Sequence, residues 1–427
     1  MLFVGRPRMR VGYCCGMKRN TEREIVITGT GACCNMGHDA GEIESMLRGG
    51  RNKPFDTWQP AVDLNARCQL VGLYHGDVSD EALEISSQEG RFFGRTARIA
   101  LRAARIALAG SGLERRDVAL IVGSGTGDVD THVEIKQRLD RSSNMRKVLP
   151  TVVPRLMAST VSANLVNVLH ITGPSVSATA ACAGGTYNII MAAQLIESGF
   201  VDAAIAGGVE SVDAHFHAGF DSMRAYNPDD NDRPERASRP YAADRAGFVF
   251  SEGGGILVLE TRAHAEARGA EILAVLHGYG MSSDGEGQMV APSADGAYRA
   301  MKLALTHAGM DPEAIDYVNT HGTSTPLGDV GEVDAIRRLM DNRPVAYSST
   351  KGYTGHTVSG AGAIEAAFTV AMLGGGWVAP SVNAEPLDAS VAGYPPVLKP
   401  QDMELRCALS NSFGFGGTNA VLVLGAA

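Results

Sequence analysis

ARIALRAARIALAGSGLERRDVALIVGSGTG, residues 97–127, reads in order as an amphipathic helix, a turn, a buried strand and a Gly-rich loop, with Ile99, Ala103 and Ile106 on one helix face. About two hundred residues later YRAMKLALTHAGMDPEAIDYVNTHGTS, residues 298–324, follows the same plan. At a constant offset of 197, Gly112, Val118, Gly125 and Thr126 fall on Gly309, Ile315, Gly322 and Thr323, and Ser124 takes the place of His321. Two further echoes keep the same order: IVITGTG after Glu24 with ILAVLHGYG after Glu271, and GGGILVL at Gly253 with GGTNAVLVL at Gly416. Gly-rich turns between apolar strands are common, so one match is weak, but three in sequence indicate duplication. The expectation is two similar α/β halves, 24–262 and 263–427, behind an extension of residues 1–23. Alternating helices and strands call for sheets covered by helices, with a helical layer shared between the halves. Ligand sites in such folds lie beyond strand ends and at helix N-termini, where the Gly-rich segments fall.

Bulk composition bounds the function. With 427 residues, 44% of them hydrophobic and 20% charged, the chain can bury a large core. A net charge of -9 argues against general affinity for nucleic acid or anionic membrane, and no apolar run suggests a bilayer span. Seven cysteines, including the adjacent pairs Cys14/Cys15 and Cys33/Cys34 and no CxxC, favour a reducing, cytoplasmic setting and disfavour structural zinc. Residues 1–16 lack the apolar core and cleavage site of a secretory signal, and Met17 looks like a second start.

Three residues in separate Gly-rich segments carry the chemistry: Cys182 in SATAACAGG, His321 in NTHGTSTPLGD and His356 in KGYTGH. Cys182 stands between a Ser/Thr/Ala stretch of β character and the helix GTYNIIMAAQLIESG, so it falls at a helix N-terminus, where the dipole and free N–H groups favour thiolate. A small buried cysteine packed beside alanines is the plainer alternative. His321 follows the strand IDYVNT and opens a loop with hydroxyls at Thr323, Ser324 and Thr325, suited to a polar, amide-bearing ligand arm. His356, followed by Thr357, stands just before VSGAGAIEAAFTVAML, a helix carrying Glu365. A thiol with two imidazoles supplies a nucleophile and two acid/base or oxyanion-stabilising groups, pointing to acyl chemistry through a thioester. NSFGFGGTN sets Phe413 and Phe415 among glycines, giving either a tight turn with core aromatics or an oxyanion-hole N–H and a ring that gates an acyl pocket.

TAACAGG, NTHGTSTPLGD, STKGYTGH and NSFGFGGTN, in this order and at these separations, resemble the elongating β-ketoacyl-acyl carrier protein synthases of the thiolase superfamily, and RPYAADRAGFVFSEGGG extends the resemblance over roughly Arg23 to Leu424. The resemblance implies a thiolase-like fold, five-layered α-β-α-β-α, a homodimer, and decarboxylative Claisen condensation with no required cofactor. It implies that Cys182 is acylated over an oxyanion hole of the Cys182 and Phe415 N–H groups. His321 and His356 would hold the malonyl thioester, supported by Lys351 and Glu365, with the choice of base left open. Phe415 would gate, Thr323 and Thr325 would bind phosphopantetheine, and Asn319, Glu365, Ser410 and Asn411 would form a structural monovalent-cation site. The resemblance also implies acyl carrier protein, acidic in such systems, as the partner. KQRLDRSSNMRK therefore offers a dock in Lys136, Arg138, Arg141, Arg146 and Lys147, with a solvated charged surface as the alternative.

The family commonly has Thr or Ser within two residues of the cysteine, whereas this chain has Ala183-Gly184-Gly185; the glycines suggest extra room near the sulfur for a bulkier or longer acyl chain. The second histidine disfavours initiating synthases, and Cys407 is poorly placed for a thiolase's second cysteine. A ketosynthase of a polyketide or specialised lipid pathway, a cysteine acyl hydrolase and a non-catalytic partner subunit are the competing readings.

Overall fold

The computed structural model describes residues 23–114, 116–285, 289–290 and 292–427; the reading of residues 1–16, with Cys14 and Cys15, lies outside the described residues. Ten strands form the main sheet: β1 Ile25–Cys33, β2 Ala119–Gly123, β3 Ser175–Val176, β4 Ala203–Glu210, β5 Gly253–Thr261, β6 Ala274–Ser283, β7 Tyr317–Asn319, β8 Ala346–Ser348, β9 Cys407–Gly414 and β10 Thr418–Ala426. The order β8-β7-β9-β10-β6-β1-β5-β4-β2-β3 is symmetric about its middle. Outward from β1 the pairings to β5, β4, β2 and β3 run antiparallel, antiparallel, parallel and parallel; outward from β6, those to β10, β9, β7 and β8 repeat the series. The two sets join where Ile25–Ile27 of β1 pairs with Ala274–Leu276 of β6.

The principal helices are α1 Arg95–Ser111, α2 Val129–Ser142, α3 Thr160–Leu169, α4 Gly184–Glu197, α5 Ala294–Ala308, α6 Pro326–Leu339 and α7 Ala361–Gly375. Helices α1 and α3 cover the outer face of the first strand set; α5 covers that of the second, with α6 packed against α5 and into the same apolar cluster. Between the sets lie α4, against β2, β4 and β10, and α7, against β5 and β9. This is the five-layered arrangement, and its central layer is α4 with α7.

The echoes seen in sequence are places where helix backbone meets strand. A Cβ on Gly29 or Gly31 would strike the carbonyls of Ala107 or Ala103 in α1, and one on Gly278 or Gly280 would strike the backbone of Ala308 or of Ala300 and Ala304 in α5. Small residues on both partners let these layers close. Helices α1 and α5 both end on a left-handed glycine, Gly112 at φ 63° and Gly309 at φ 66°, the pair that coincides at offset 197. On α1, Ile99 and Ala103 are buried as the periodicity predicts, while Ile106 is half-buried at the rim.

Helix α7 is apolar all round, as befits a helix enclosed between the two strand sets. The stretch Val358–Gly375, with mean hydropathy 1.3, is long and apolar enough to cross a membrane, yet it is 83% buried within the fold. A smaller sheet of Asp56–Thr57, Leu70–Gly72 and Phe250–Ser251 lies beside it, and Phe250 bridges to His356.

Candidate active site

Cys182 occupies the turn between β3 and α4. Ala181 before it has φ 46°, a left-handed conformation that costs a residue with a side chain, and Ala183 is the helix N-cap. The N–H groups of Phe415 and Cys182 lie beside the sulfur and act to lower the thiol. Burial pushes the thiol up to about 11, and neither the Phe415 N–H nor the charge of Lys351 offsets it. A helix N-terminus on its own depresses a thiol, as expected from the sequence, but desolvation outweighs it here.

His321 lies just beyond β7, on a turn whose backbone is tied down. The N–H groups of His321 and Gly322 each donate to a carboxylate oxygen of Glu332 on α6 at 2.8 Å. Its Nδ1 lies 3.5 Å from Lys351 Nζ. His356 follows the short helix Lys351–Thr354, its N–H donating to the Val249 carbonyl at 2.8 Å and its ring packed on Phe248 at 5.1 Å. The two imidazoles stand edge to face, centroids 5.3 Å apart. Burial first, then the Lys351 ammonium, holds both well below the usual histidine range, and His356 further lowers His321. Both rings are therefore neutral near pH 7. Lys351 itself forms a buried ion pair with Glu365, whose carboxyl burial pushes up to about 7 against the pull of Lys351.

Cys182, His321, His356, Thr323, Thr325, Phe413 and Phe415 line one cavity of about 440 Å³. A neutral imidazole pair lining one cavity with a thiol, with two N–H groups beside the sulfur, can support acylation of the thiol and polarise a second thioester. Residues 22–265 match the family description "Beta-ketoacyl synthase, N-terminal domain", and residues 273–385 match "Beta-ketoacyl synthase, C-terminal domain".

The chain belongs to the β-ketoacyl synthase family. It is 40% identical to 3-oxoacyl-[acyl-carrier-protein] synthase 1 of Escherichia coli K12 and 39% identical to that of Haemophilus influenzae, in each case over 94% of this chain and 98% of the relative. Its structure is similar to that of a β-ketoacyl synthase from Burkholderia phymatum, at TM-score 0.89 and 32% identity, covering 95% of this chain and 100% of the other. It is an acyltransferase, a β-ketoacyl synthase of the kind that elongates fatty acids.

Other residues singled out in sequence take different places in this synthase. Lys351 and Glu365 are buried behind His321 and do not line the cavity. Thr323 and Thr325 share a hydroxyl hydrogen bond at 3.1 Å on the cavity wall. Lys136 and Arg138 are paired along α2 with Asp140 and Glu134. Arg141, Arg146 and Lys147 are exposed, without ion pairs among the described residues, and stand outside the cavity lining.

The glycines after Cys182 do not open space at the sulfur. A Cβ on Gly184 would overlap the Ser359 hydroxyl, and one on Gly185 would stand 2.8 Å from the Ser359 carbonyl oxygen. The room is filled from the other half of the molecule, so the inference of a bulkier or longer acyl chain loses its basis.

Sequence reasoning missed Glu332, although one signal was available. Asp329, Glu332, Val333 and Ile336 share the buried side of α6, placing two carboxylates where the helix pattern calls for apolar residues. It also missed Arg224, which lines the cavity at a rim of exposed Met223, Met289, Val290 and Leu327.

Proposed function

We propose that this synthase joins an acyl group on Cys182 to a malonyl unit delivered by acyl carrier protein. The carrier is the one named in its curated relatives. The observation that carries the reading is the neutral His321–His356 pair facing Cys182 across one cavity. The sulfur attacks the acyl thioester, the oxyanion is received by the N–H groups of Cys182 and Phe415, and the pantetheine thiol leaves with a proton. A thiol held near 11 arrives protonated, so a neutral imidazole has to accept that proton. Malonyl thioester then enters past Thr323 and Thr325, and N–H donors of His321 and His356 hold its carbonyl. The bond to the carboxylate breaks, carbon dioxide leaves, and the enolate carbon attacks the acyl carbonyl; the carbon–sulfur bond breaks, and the departing Cys182 thiolate takes up a proton from solvent, which regenerates the thiol.

A structural monovalent cation fits this chain. Asn319 Oδ1, Glu365 Oε2, Ser410 Oγ and Asn411 Oδ1 are buried oxygens with no hydrogen-bond partner among the described residues. Asn319 pairs with Ser410 in the β7–β9 register, with Asn411 next along. Four orphaned acceptors, one of them a carboxylate oxygen, suit Na⁺ or K⁺. A homodimer is supported by β3, an edge strand with both residues exposed. Cytoplasmic residence is supported by five buried free cysteines among the described residues. The halves divide in our reading between β5 and β6.

Arg141, Arg146 and Lys147 form the proposed dock for the acidic carrier; Arg146→Glu with Lys147→Glu then raises KM for carrier-bound malonyl, and unchanged turnover removes the dock. Incubation with malonyl carrier protein and an acyl primer tests the reaction. Ketoacyl product with carbon dioxide is expected. Free acid alone means hydrolysis, and no acylation of Cys182 by intact mass means a non-catalytic subunit.

A further inference from the structure

Glycines of the first half form a slot that receives the turn following His356. Gly184 and Gly185 open α4, Gly208 lies in β4 and Gly255 in β5. A Cβ at Gly208 would overlap the Ser359 carbonyl, one at Gly185 would also stand 3.1 Å from the Ala363 Cβ, and one at Gly255 would overlap the backbone of Ala363 and Ile364. The turn is strained where it enters: Val358, a β-branched residue, has φ 45°. Glu210, at the end of β4, pins it. That buried carboxylate accepts the Gly125 N–H at 2.9 Å and the Thr126 hydroxyl at 2.8 Å and is steadied by the nearby Ser359 N–H, setting the histidine turn against the first half's own Gly-rich loop.

Ser359 is fully buried, and its hydroxyl has no hydrogen-bond partner among the described residues. An orphaned buried hydroxyl is unfavourable, so hydrogen bonding does not explain a serine here. Packing does. The Ser359 hydroxyl occupies the place a side chain on residue 184 would take: two glycines would leave a void, and two side chains would collide. Residue 184 lies two positions from Cys182, and residue 359 lies three from His356.

We infer that residues 184 and 359 share a single side-chain space, filled by the Ser359 hydroxymethyl, and that Ser359 is thereby a positioning residue for the Cys182–His356 pair. The inference rests on Cys182 and His356 acting together as proposed above. The variants Gly184→Ser, Ser359→Gly and the double variant test it, each measured for melting temperature, iodoacetamide alkylation of Cys182, and kcat and KM of condensation. Overpacking in Gly184→Ser is expected to lower kcat about 100-fold or to prevent folding. Ser359→Gly should lose less than tenfold in kcat with KM unchanged. The double variant, with the hydroxymethyl returned to the cysteine side, should fold and recover at least tenfold over Gly184→Ser. A double variant no better than Gly184→Ser in folding or kcat overturns the shared space, as does a fully active Gly184→Ser. A Ser359→Gly loss as large as that of Gly184→Ser also overturns it, because the hydroxyl would then act by itself. If the parent yields no ketoacyl product, the proposed reaction fails, while folding and Cys182 alkylation still read the packing.

Discussion

Glu332→Gln keeps the shape of the side chain and removes one acceptor. Oε1 receives His321 N–H at 2.8 Å and Asn411 Nδ2 at 3.0 Å, while Oε2 receives Gly322 N–H at 2.8 Å. Whichever way the amide is turned, its NH₂ faces a donor. The loss is one hydrogen bond to a carboxylate, about 1.5–3 kcal/mol, with a buried donor left facing another. The turn that relaxes is the one carrying the His321 ring, and a displacement of about 1 Å at a catalytic group costs on the order of 100-fold. Malonyl decarboxylation should therefore fall roughly 100-fold in kcat, with little change in KM.

The same variant carries a signature in pH. Burial raises Glu332 from its ordinary 4.5 to about 7, ahead of the opposing hydrogen bonds from Gly322, Asn411 and His321. Between those values the folded protein holds a proton that the unfolded chain has released. The stabilisation is thus complete below pH 4.5 and is lost as pH rises through 7. At about 1.4 kcal/mol per pH unit it amounts to roughly 3 kcal/mol. Glutamine does not ionise, so urea denaturation should show the variant's deficit narrowing by up to about 3 kcal/mol from pH 5 to pH 8. Parental decarboxylation together with a deficit independent of pH would refute the assignment of Glu332 as the anchor of the His321 turn.

Alkylation of Cys182 by iodoacetamide should rise about tenfold per pH unit through pH 9.5, since the thiol titrates near 11; a plateau below pH 8 would show a thiolate already formed. Lys351→Ala strands Glu365 in the core and should cost about 3–5 kcal/mol, with Lys351→Met no better at pairing that carboxylate. Loss of the Lys351 charge should also raise the pKa values of His321 and His356, seen as upward-shifted imidazole titrations by NMR. Potassium in place of choline should raise the Tm of the parent and leave Asn411→Ala unmoved; equal shifts in both would dispose of the cation site.

The fold was legible because duplication wrote it twice. Gly29 and Gly31 against Gly278 and Gly280, and Gly112 against Gly309, are positions where backbone geometry leaves little choice of residue, so both copies kept them. The sheet order was not legible, because β3, β7 and β8 are only two or three residues long and carry too little periodicity to place. Cys182, His321 and His356 were legible from the small residues around them. Glu332 left one trace, a carboxylate on the side of α6 where the helix pattern calls for apolar residues, whereas Glu210 left none, because a carboxylate that accepts a backbone N–H looks in sequence like any charge at a strand end.

The thiol and the glycine pair show where local reasoning stops. A helix N-terminus lowers a thiol only to the extent that water or charge can help it, and Cys182, 5% exposed among apolar neighbours, has little of either. Glycines beside a nucleophile make room, but which atoms take that room is decided by chain 175 residues away. The duplicated loops carry the same lesson. Ser124 and His321 are equivalent by offset, and Ser124 spends its hydroxyl accepting Gly127 N–H at 2.8 Å to close its own loop. In the second half that closing task belongs to Glu332, through the His321 and Gly322 N–H groups. The side chain at position 321 is thereby released from holding its loop, and only a released side chain is free to face a substrate.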